Sequence, residues 1–129
     1  MSNNRTLKVG MLGCGVVGSN VARLLHEDSG DFAARSGATL TLAKVAVKNA
    51  ATKRDYVDPA IITTDSHSIV NDPSIDIVIE VMGGIEPARD LILTAIKNGK
   101  SIITANKALL ALHGAELFEA ADKNGVDLY

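Results

Sequence analysis

Three glycines near the start of the chain, in the pattern Gly-x-Gly-x-x-Gly, are the first residues whose spacing indicates chemistry. Gly13, Gly15 and Gly18 end a short apolar run, Leu7–Gly13, and open a stretch with helical spacing, Val16–His26. Between a strand and a helix, the first glycine permits a tight turn, the second admits a pyrophosphate, and the third lets the helix pack closely. Free N–H groups at the helix start favour phosphate. The sequence therefore predicts a dinucleotide site, and the alternative is a glycine turn that only packs a helix.

The residues after the second predicted strand, Thr39–Val47, bear on which dinucleotide is bound. An NAD site usually places Asp or Glu at the end of this strand, on the ribose 2′-hydroxyl. Here Lys48 follows the strand, Lys53 and Arg54 come soon after, and no acidic residue occurs between Asp31 and Asp55. Because cations there would accept a 2′-phosphate, we predict a preference for NADP(H), with Lys48 as the best single candidate and NAD(H) as the alternative cofactor. A solvated surface loop is the alternative interpretation of the segment.

Further candidates follow the later predicted strands, where ligands of open parallel sheets bind. Met82 and Gly83 belong to a turn whose glycines would admit a flat ring, or merely lead into a helix. Asn106 and Lys107 would project towards a nicotinamide, and a lysine there can hydrogen-bond a substrate oxygen or transfer a proton. The alternative is a solvated lysine, although a cation in a helix's first turn is unfavourable. Glu80, near the end of an apolar strand, is either paired structurally or lines the pocket.

The elements that must position these residues alternate along the chain. Short apolar runs predict six strands, at Leu7–Gly13, Thr39–Val47, Ile61–Thr64, Ile75–Val81, Ser101–Thr104 and Val126–Tyr129. Helical spacing predicts intervening helices over 16–26, 66–71 (capped by Asp65 or Ser66), 87–98 (Pro87 in the first turn, Gly99 just past the end), 108–112 and 115–123. This order predicts an α/β fold, a Rossmann-type doubly wound parallel sheet in a single domain.

Composition narrows the class of protein. The chain has 129 residues, 47% hydrophobic but only 3% aromatic, which favours an aliphatic core under helices. A net charge of −2 with no basic patch predicts neither a nucleic-acid nor a membrane partner. The polar start of the sequence and the lone Cys14 favour a cytoplasmic protein. The histidines lack metal-ligand spacing, so no metal site is predicted. Lys97 and Lys100 flank a predicted helix end, where they would compensate its dipole.

Three segments taken together resemble homoserine dehydrogenase, namely Val9–Gly18, Asp76–Gly84 and Gly99–Leu110. The resemblance implies reduction of aspartate 4-semialdehyde to homoserine with NAD(P)H, in the pathway to threonine, methionine and isoleucine. It also implies that Val16 and Val17 contact the cofactor through the glycine loop. Lys107 would match the family's lysine beside the nicotinamide, which is implicated in catalysis. Lys48 would lie where members often meet the adenosine ribose or its phosphate.

The family has a second domain that follows this one and supplies substrate-binding residues, a further catalytic lysine and aspartate, and the dimer interface. The resemblance thus implies that residues 1–129 are an N-terminal NAD(P)-binding domain, which binds cofactor without turnover. The parent would be a homodimer or a larger homo-oligomer acting on a small-molecule substrate. Two alternatives stay open: another NAD(P)-dependent dehydrogenase of a small amino-acid-derived carbonyl, and a non-catalytic nucleotide-sensing module. A sensing module would not need Lys107.

Overall fold

A computed structural model describes residues 5–27, 38–49 and 57–129 of the chain. Its centre is a parallel sheet of five strands in the order β3-β2-β1-β4-β5. These strands are β1 (Arg5–Leu12), β2 (Ala38–Ala46), β3 (Ile62–Thr63), β4 (Ile77–Glu80) and β5 (Ser101–Thr104). The helices are α1 (Val16–Glu27), α2 (Ser66–Val70), α3 (Ala88–Lys97) and α4 (Lys107–Asn124), with a 3-10 turn at Pro59–Ile61. This architecture confirms the predicted Rossmann-type α/β fold. In the described ranges, no helix is long and apolar enough to cross a bilayer.

The strand order creates one switch point, between β1 and β4. The chain moves outward from β1 to β2 and β3, then returns to the other side of β1. At this point the backbone N–H of Gly13 donates to the carbonyl of Ala46 at 2.8 Å, and that of Val81 donates to the carbonyl of Leu12 at 2.9 Å. The segments that leave β1 and β4 are therefore fixed side by side. Ligands of open parallel sheets bind at such a point, outside the carboxyl ends of the strands.

The core is aliphatic on both faces of the sheet, as the composition predicts. Successive residues of a strand point to opposite faces, so Val78 and Ile79 enter different clusters. One cluster packs the sheet against α2, α3 and α4, with Ile69, Leu91, Ile96, Leu109 and Leu117 fully buried. The other cluster packs Val9, Met11 and Val45 against α1 through Ala22. Helices covering both faces hold the carboxyl edge of the sheet (the edge at which the strands end) in a fixed shape.

Several element boundaries differ from the prediction. The two helices predicted around Gly114 are one continuous helix, α4, because Leu109 and Leu117 are buried on either side of that glycine. A glycine within a helix costs only about 1 kcal/mol relative to alanine, which such packing outweighs. Pro87 precedes α3 instead of lying in its first turn. The strand predicted over 126–129 is reduced to one parallel bridge, between Leu128 and Ile102.

Two predicted helix ends are confirmed in detail. Asp65 caps α2, and its side chain accepts a hydrogen bond from the N–H of His67 at 3.1 Å. Gly99 follows the end of α3 with a φ of +79°, a conformation that glycine adopts without a steric penalty. Lys53 and Arg54 lie outside the described residues.

Candidate functional site

Gly13 makes the turn that joins β1 to α1. Its φ is +96°, and a Cβ at this position would lie 3.0 Å from the Cα of Met82 and 3.1 Å from the backbone N of the same residue. The positive φ favours glycine. A side chain would also lack space, because the neighbouring atoms belong to the backbone and cannot turn aside. The turn therefore packs tightly against the backbone of the segment that follows β4.

Gly15 and Gly18 differ from Gly13 in what surrounds them. A Cβ at Gly15 would meet nothing within 4 Å, so the backbone there is open to a ligand. The carbonyl of Gly15 accepts the N–H of Ser19 at 2.8 Å, which places it at the start of α1. A Cβ at Gly18 would lie 3.1 Å from the carbonyl oxygen of Gly13 and 3.2 Å from Cγ2 of Val81. Turn, open approach and close packing are the three roles that a dinucleotide-binding loop assigns to its glycines.

A cavity of about 600 Å³ opens at the carboxyl edge beside this loop. Such a volume lies within the range of small-molecule and cofactor pockets. Its walls are the glycine loop and the segments that follow β2, β3 and β4, formed by Gly13, Cys14, Gly15, Ala46, Val47, Lys48, Asn49, Thr64, Ser66, Val81, Met82 and Pro87. The structure therefore brings four predicted site residues to one cavity: Gly13, Gly15, Lys48 and Met82.

Lys48 has the only charged side chain among the described residues that line the cavity. It is exposed and directly follows β2, on the side where the sequence predicts the adenosine ribose. Three polar residues that the sequence did not predict as part of the site also line the cavity, namely Asn49, Thr64 and Ser66. Their positions in the sequence could have indicated this, because Thr64 ends a predicted strand and Ser66 follows it closely.

The sequence left open whether Glu80 is paired structurally or lines the pocket, and the structure shows that it is paired. Its side chain is fully buried and does not line the cavity. One carboxylate oxygen accepts the N–H groups of Met82 and Gly83, each at 3.0 Å. The other accepts the hydroxyl of Thr104 at 2.5 Å. The carboxylate thus joins the ends of β4 and β5.

Asn106 holds backbone on two elements and is 8% exposed. Its Oδ1 caps α4 by accepting the N–H of Leu109 at 3.1 Å, and its Nδ2 donates to the carbonyl of Gly84 at 2.6 Å. Lys107, the first residue of α4, has an exposed side chain at the same edge. Neither residue lines the cavity, and Gly83 does not line it either.

The two remaining predicted contacts, Val16 and Val17, form the start of α1. Their backbone is therefore at the helix N-terminus, next to Gly15. Side-chain positions for these two valines fall outside what the structure describes.

Comparison with known proteins identifies the family. Residues 13–129 match the family described as the NAD-binding domain of homoserine dehydrogenase. The homoserine dehydrogenase of Corynebacterium glutamicum is 44% identical over 121 residues, which are 94% of this chain and 27% of that protein. The Bacillus subtilis enzyme is 36% identical, over 97% of this chain and 29% of that protein. The crystal structure of a homoserine dehydrogenase from Thiobacillus denitrificans superposes with a TM-score of 0.93 at 38% identity, covering 99% of this chain and 30% of that one.

The chain thus spans under a third of the length of these relatives. The match includes the glycine loop from Gly13 onward, the turn after β4 and the start of α4, which are the segments that build the cavity and its edge. The chain therefore belongs to the family of homoserine dehydrogenase NAD-binding domains.

Proposed function

We propose that this chain binds NADP(H) at the carboxyl edge of its sheet, as the cofactor domain of an enzyme that interconverts aspartate 4-semialdehyde and homoserine. The observation that carries the proposal is the open backbone of Gly15 beside a cavity of about 600 Å³. The cradle fits a dinucleotide, because a side chain at Gly15 would occupy the space that a pyrophosphate needs.

Each half of the cofactor has residues that suit it. The pyrophosphate would lie against Gly15 and the free N–H groups at the start of α1, where Val16 and Val17 contribute backbone. Lys48 supports NADP(H) over NAD(H), since it offers a cation to a 2′-phosphate and no acidic side chain lines the described cavity wall. The nicotinamide half would lie over β4 and β5, towards Met82, Gly83, Asn106 and Lys107.

Lys107 is the residue of this chain that we assign to catalysis. Reduced nicotinamide, when bound, supplies the hydride for the aldehyde carbon. The exposed ammonium of Lys107, at the start of α4, would hydrogen-bond the aldehyde oxygen and provide its proton.

The rest of the proposal concerns the longer protein. Relatives of which this chain spans 27% and 29% have room for a second domain, to which we assign the substrate residues and the contacts of a homodimer or larger homo-oligomer. Residues 1–129 would then bind cofactor without turnover. We place the protein in the cytoplasm, in the biosynthesis of threonine and methionine, with no nucleic-acid or membrane partner.

Cofactor titration tests the proposal. NADPH and NADH are each titrated into the wild type, Lys48→Ala and the control Lys97→Ala, whose lysine lies in the last turn of α3, outside the cavity wall. Loss of a charge-assisted contact is expected to weaken NADPH about tenfold or more in Lys48→Ala. The NADH affinity of Lys48→Ala, and the affinity of Lys97→Ala for both cofactors, should stay within about twofold of the wild type. Equal loss for both cofactors would remove the 2′-phosphate role, and failure of the wild type to bind either would overturn the proposed function.

A further inference from the structure

Three side chains join the two segments that leave β4 and β5, and we call them the edge bridge: Glu80, Thr104 and Asn106. Glu80 and Thr104 are direct partners in the β4–β5 register, so their side chains lie next to each other on one face of the sheet. The bridge lies under the half of the edge where the nicotinamide would bind.

The hydrogen bonds of the edge bridge form a continuous chain. The backbone N–H of Asn106 donates to Thr104 Oγ1 at 3.1 Å, and the same hydroxyl donates to Glu80 Oε1 at 2.5 Å. Glu80 Oε2 then accepts the backbone N–H groups of Met82 and Gly83. The start of α4, which carries Lys107, is thereby connected to the turn over 82–83 through one hydroxyl and one carboxylate.

The Asn106 side chain provides a second connection, through its 2.6 Å hydrogen bond to the carbonyl of Gly84. Gly83 and Gly84 both have a φ of +76°, and no atom lies within 4 Å of a Cβ placed on either. Met82 packs against Gly13 and the core, whereas Gly83 and Gly84 have open space where a side chain would lie. The backbone of these two glycines is held by hydrogen bonds, from Gly83 to Glu80 and from Asn106 to Gly84.

A carboxylate is a costly residue at this place. Its neighbours in β4, Val78 and Ile79, are apolar, and burying a charge is unfavourable unless the group is hydrogen-bonded or paired. An apolar residue could fill the strand position, but it could not orient two N–H groups and a hydroxyl together. We propose that Glu80 is a positioning residue, which sets the turn over 82–83 against Lys107 and so determines how the nicotinamide half of the cofactor is held. This inference rests on the proposed function.

Two ligands separate this role from simple stabilisation of the fold. NADPH spans both halves of the edge, whereas 2′,5′-ADP carries only the adenosine half and meets the glycine loop and the end of β2. A change confined to the edge bridge should therefore weaken the binding of NADPH and leave the binding of 2′,5′-ADP unchanged. Loss of the fold would weaken both in parallel.

Four variants complete the experiment on the 129-residue chain. Glu80→Gln removes the charge and one of the two acceptor oxygens, and Thr104→Val removes the hydroxyl while keeping the shape. Thr104→Ser keeps the hydroxyl and should restore binding. Thr94→Val is the matched control, because Thr94 Oγ1 donates to the carbonyl of Asp90 within α3, away from this edge.

Glu80→Gln and Thr104→Val are expected to weaken NADPH about tenfold while 2′,5′-ADP stays within about twofold. Without ligand, hydrogen exchange at the amides of Met82 and Gly83 should accelerate in Glu80→Gln and not in Thr104→Ser. Unchanged NADPH affinity in folded Glu80→Gln and Thr104→Val, or parallel loss of both ligands, would overturn the positioning role. A wild type that binds neither ligand would instead overturn the proposed function.

Discussion

Asn106 joins the start of α4 to the turn after β4 through a 2.6 Å hydrogen bond from its Nδ2 to the carbonyl of Gly84. The same side chain caps the helix through Oδ1, which accepts the N–H of Leu109. One residue therefore fixes two segments that lie 22 positions apart in the sequence. The two functions can be separated by substitution, because serine caps a helix as well as asparagine does but is too short to reach the carbonyl of Gly84.

Asn106→Ala should lose both functions and lower the free energy of unfolding by about 2 kcal/mol, since a cap and a buried hydrogen bond contribute about 1 kcal/mol each. Asn106→Ser should recover the cap and lose only about 1 kcal/mol, for the missing bond to Gly84. Urea unfolding monitored by circular dichroism measures both values. Equal stabilities for the two variants would show that the bond to Gly84 and the cap do not act separately.

Gly13→Ala and Gly18→Ala should each destabilise the fold by about 1–3 kcal/mol. The first forces alanine into a φ of +96°, and the second places a Cβ 3.1 Å from the carbonyl oxygen of Gly13. In both cases the opposing atoms are backbone, which cannot turn aside as a flexible side chain would. Urea midpoints compared with that of Gly114→Ala provide the check, because a Cβ at Gly114 meets nothing within 4 Å. Wild-type midpoints for Gly13→Ala or Gly18→Ala would be inconsistent with the close packing described.

Asp72 should make stability depend on pH in the acid range. Its pKa is held well below the usual 3.8, first by the hydroxyl and backbone N–H of Ser74 and then by Lys44, whose Nζ lies 3.0 Å from Oδ2. Because the folded pKa is lower than the unfolded one, the carboxylate stabilises the fold above about pH 4 and loses this effect as the pH falls further.

Asp72→Asn should therefore cost about 1 kcal/mol at pH 7, a modest figure because the side chain of Lys44 is 39% exposed. The difference in the free energy of unfolding between Asp72→Asn and the wild type should shrink as the pH is lowered below about 4. Thermal unfolding between pH 2 and 7 measures it, with the exposed Asp122→Asn as the matched control. A difference that stays constant over the whole range would contradict the ionised pairing.

Lys100 has a structural role that the sequence interpretation missed. The sequence suggested only compensation of a helix dipole, but Lys100 is 2% exposed and donates to the carbonyls of Asp72 and Ile75. Burial lowers its pKa, and the charges of Asp72 and Asp76 oppose that shift. Lys100→Met should cost about 2 kcal/mol because it leaves two carbonyls without their donor, whereas Lys97→Met should be nearly neutral. Comparable unfolding midpoints for the two variants would rule out this role.

Local patterns predicted the parts of the site that depend on local geometry. Gly13, Gly15 and Gly18 were identifiable because a strand, a turn and a helix follow one another within a few residues. The bonds from Thr104 to Glu80 and from Asn106 to Gly84 were not, since they depend on the register of β4 against β5, which no short segment encodes. The helix across Gly114 was also unpredictable locally, because the packing of Leu109 and Leu117 outweighs the glycine.

The most direct test concerns Gly15, where the structure leaves open space in front of the backbone. Calorimetric titration of NADPH into the wild type should show one saturable site. Gly15→Ala should keep the wild-type free energy of unfolding, because its methyl group meets no protein atom within 4 Å, yet bind NADPH at least about tenfold more weakly. A folded Gly15→Ala that binds NADPH as tightly as the wild type would contradict cofactor binding at this loop.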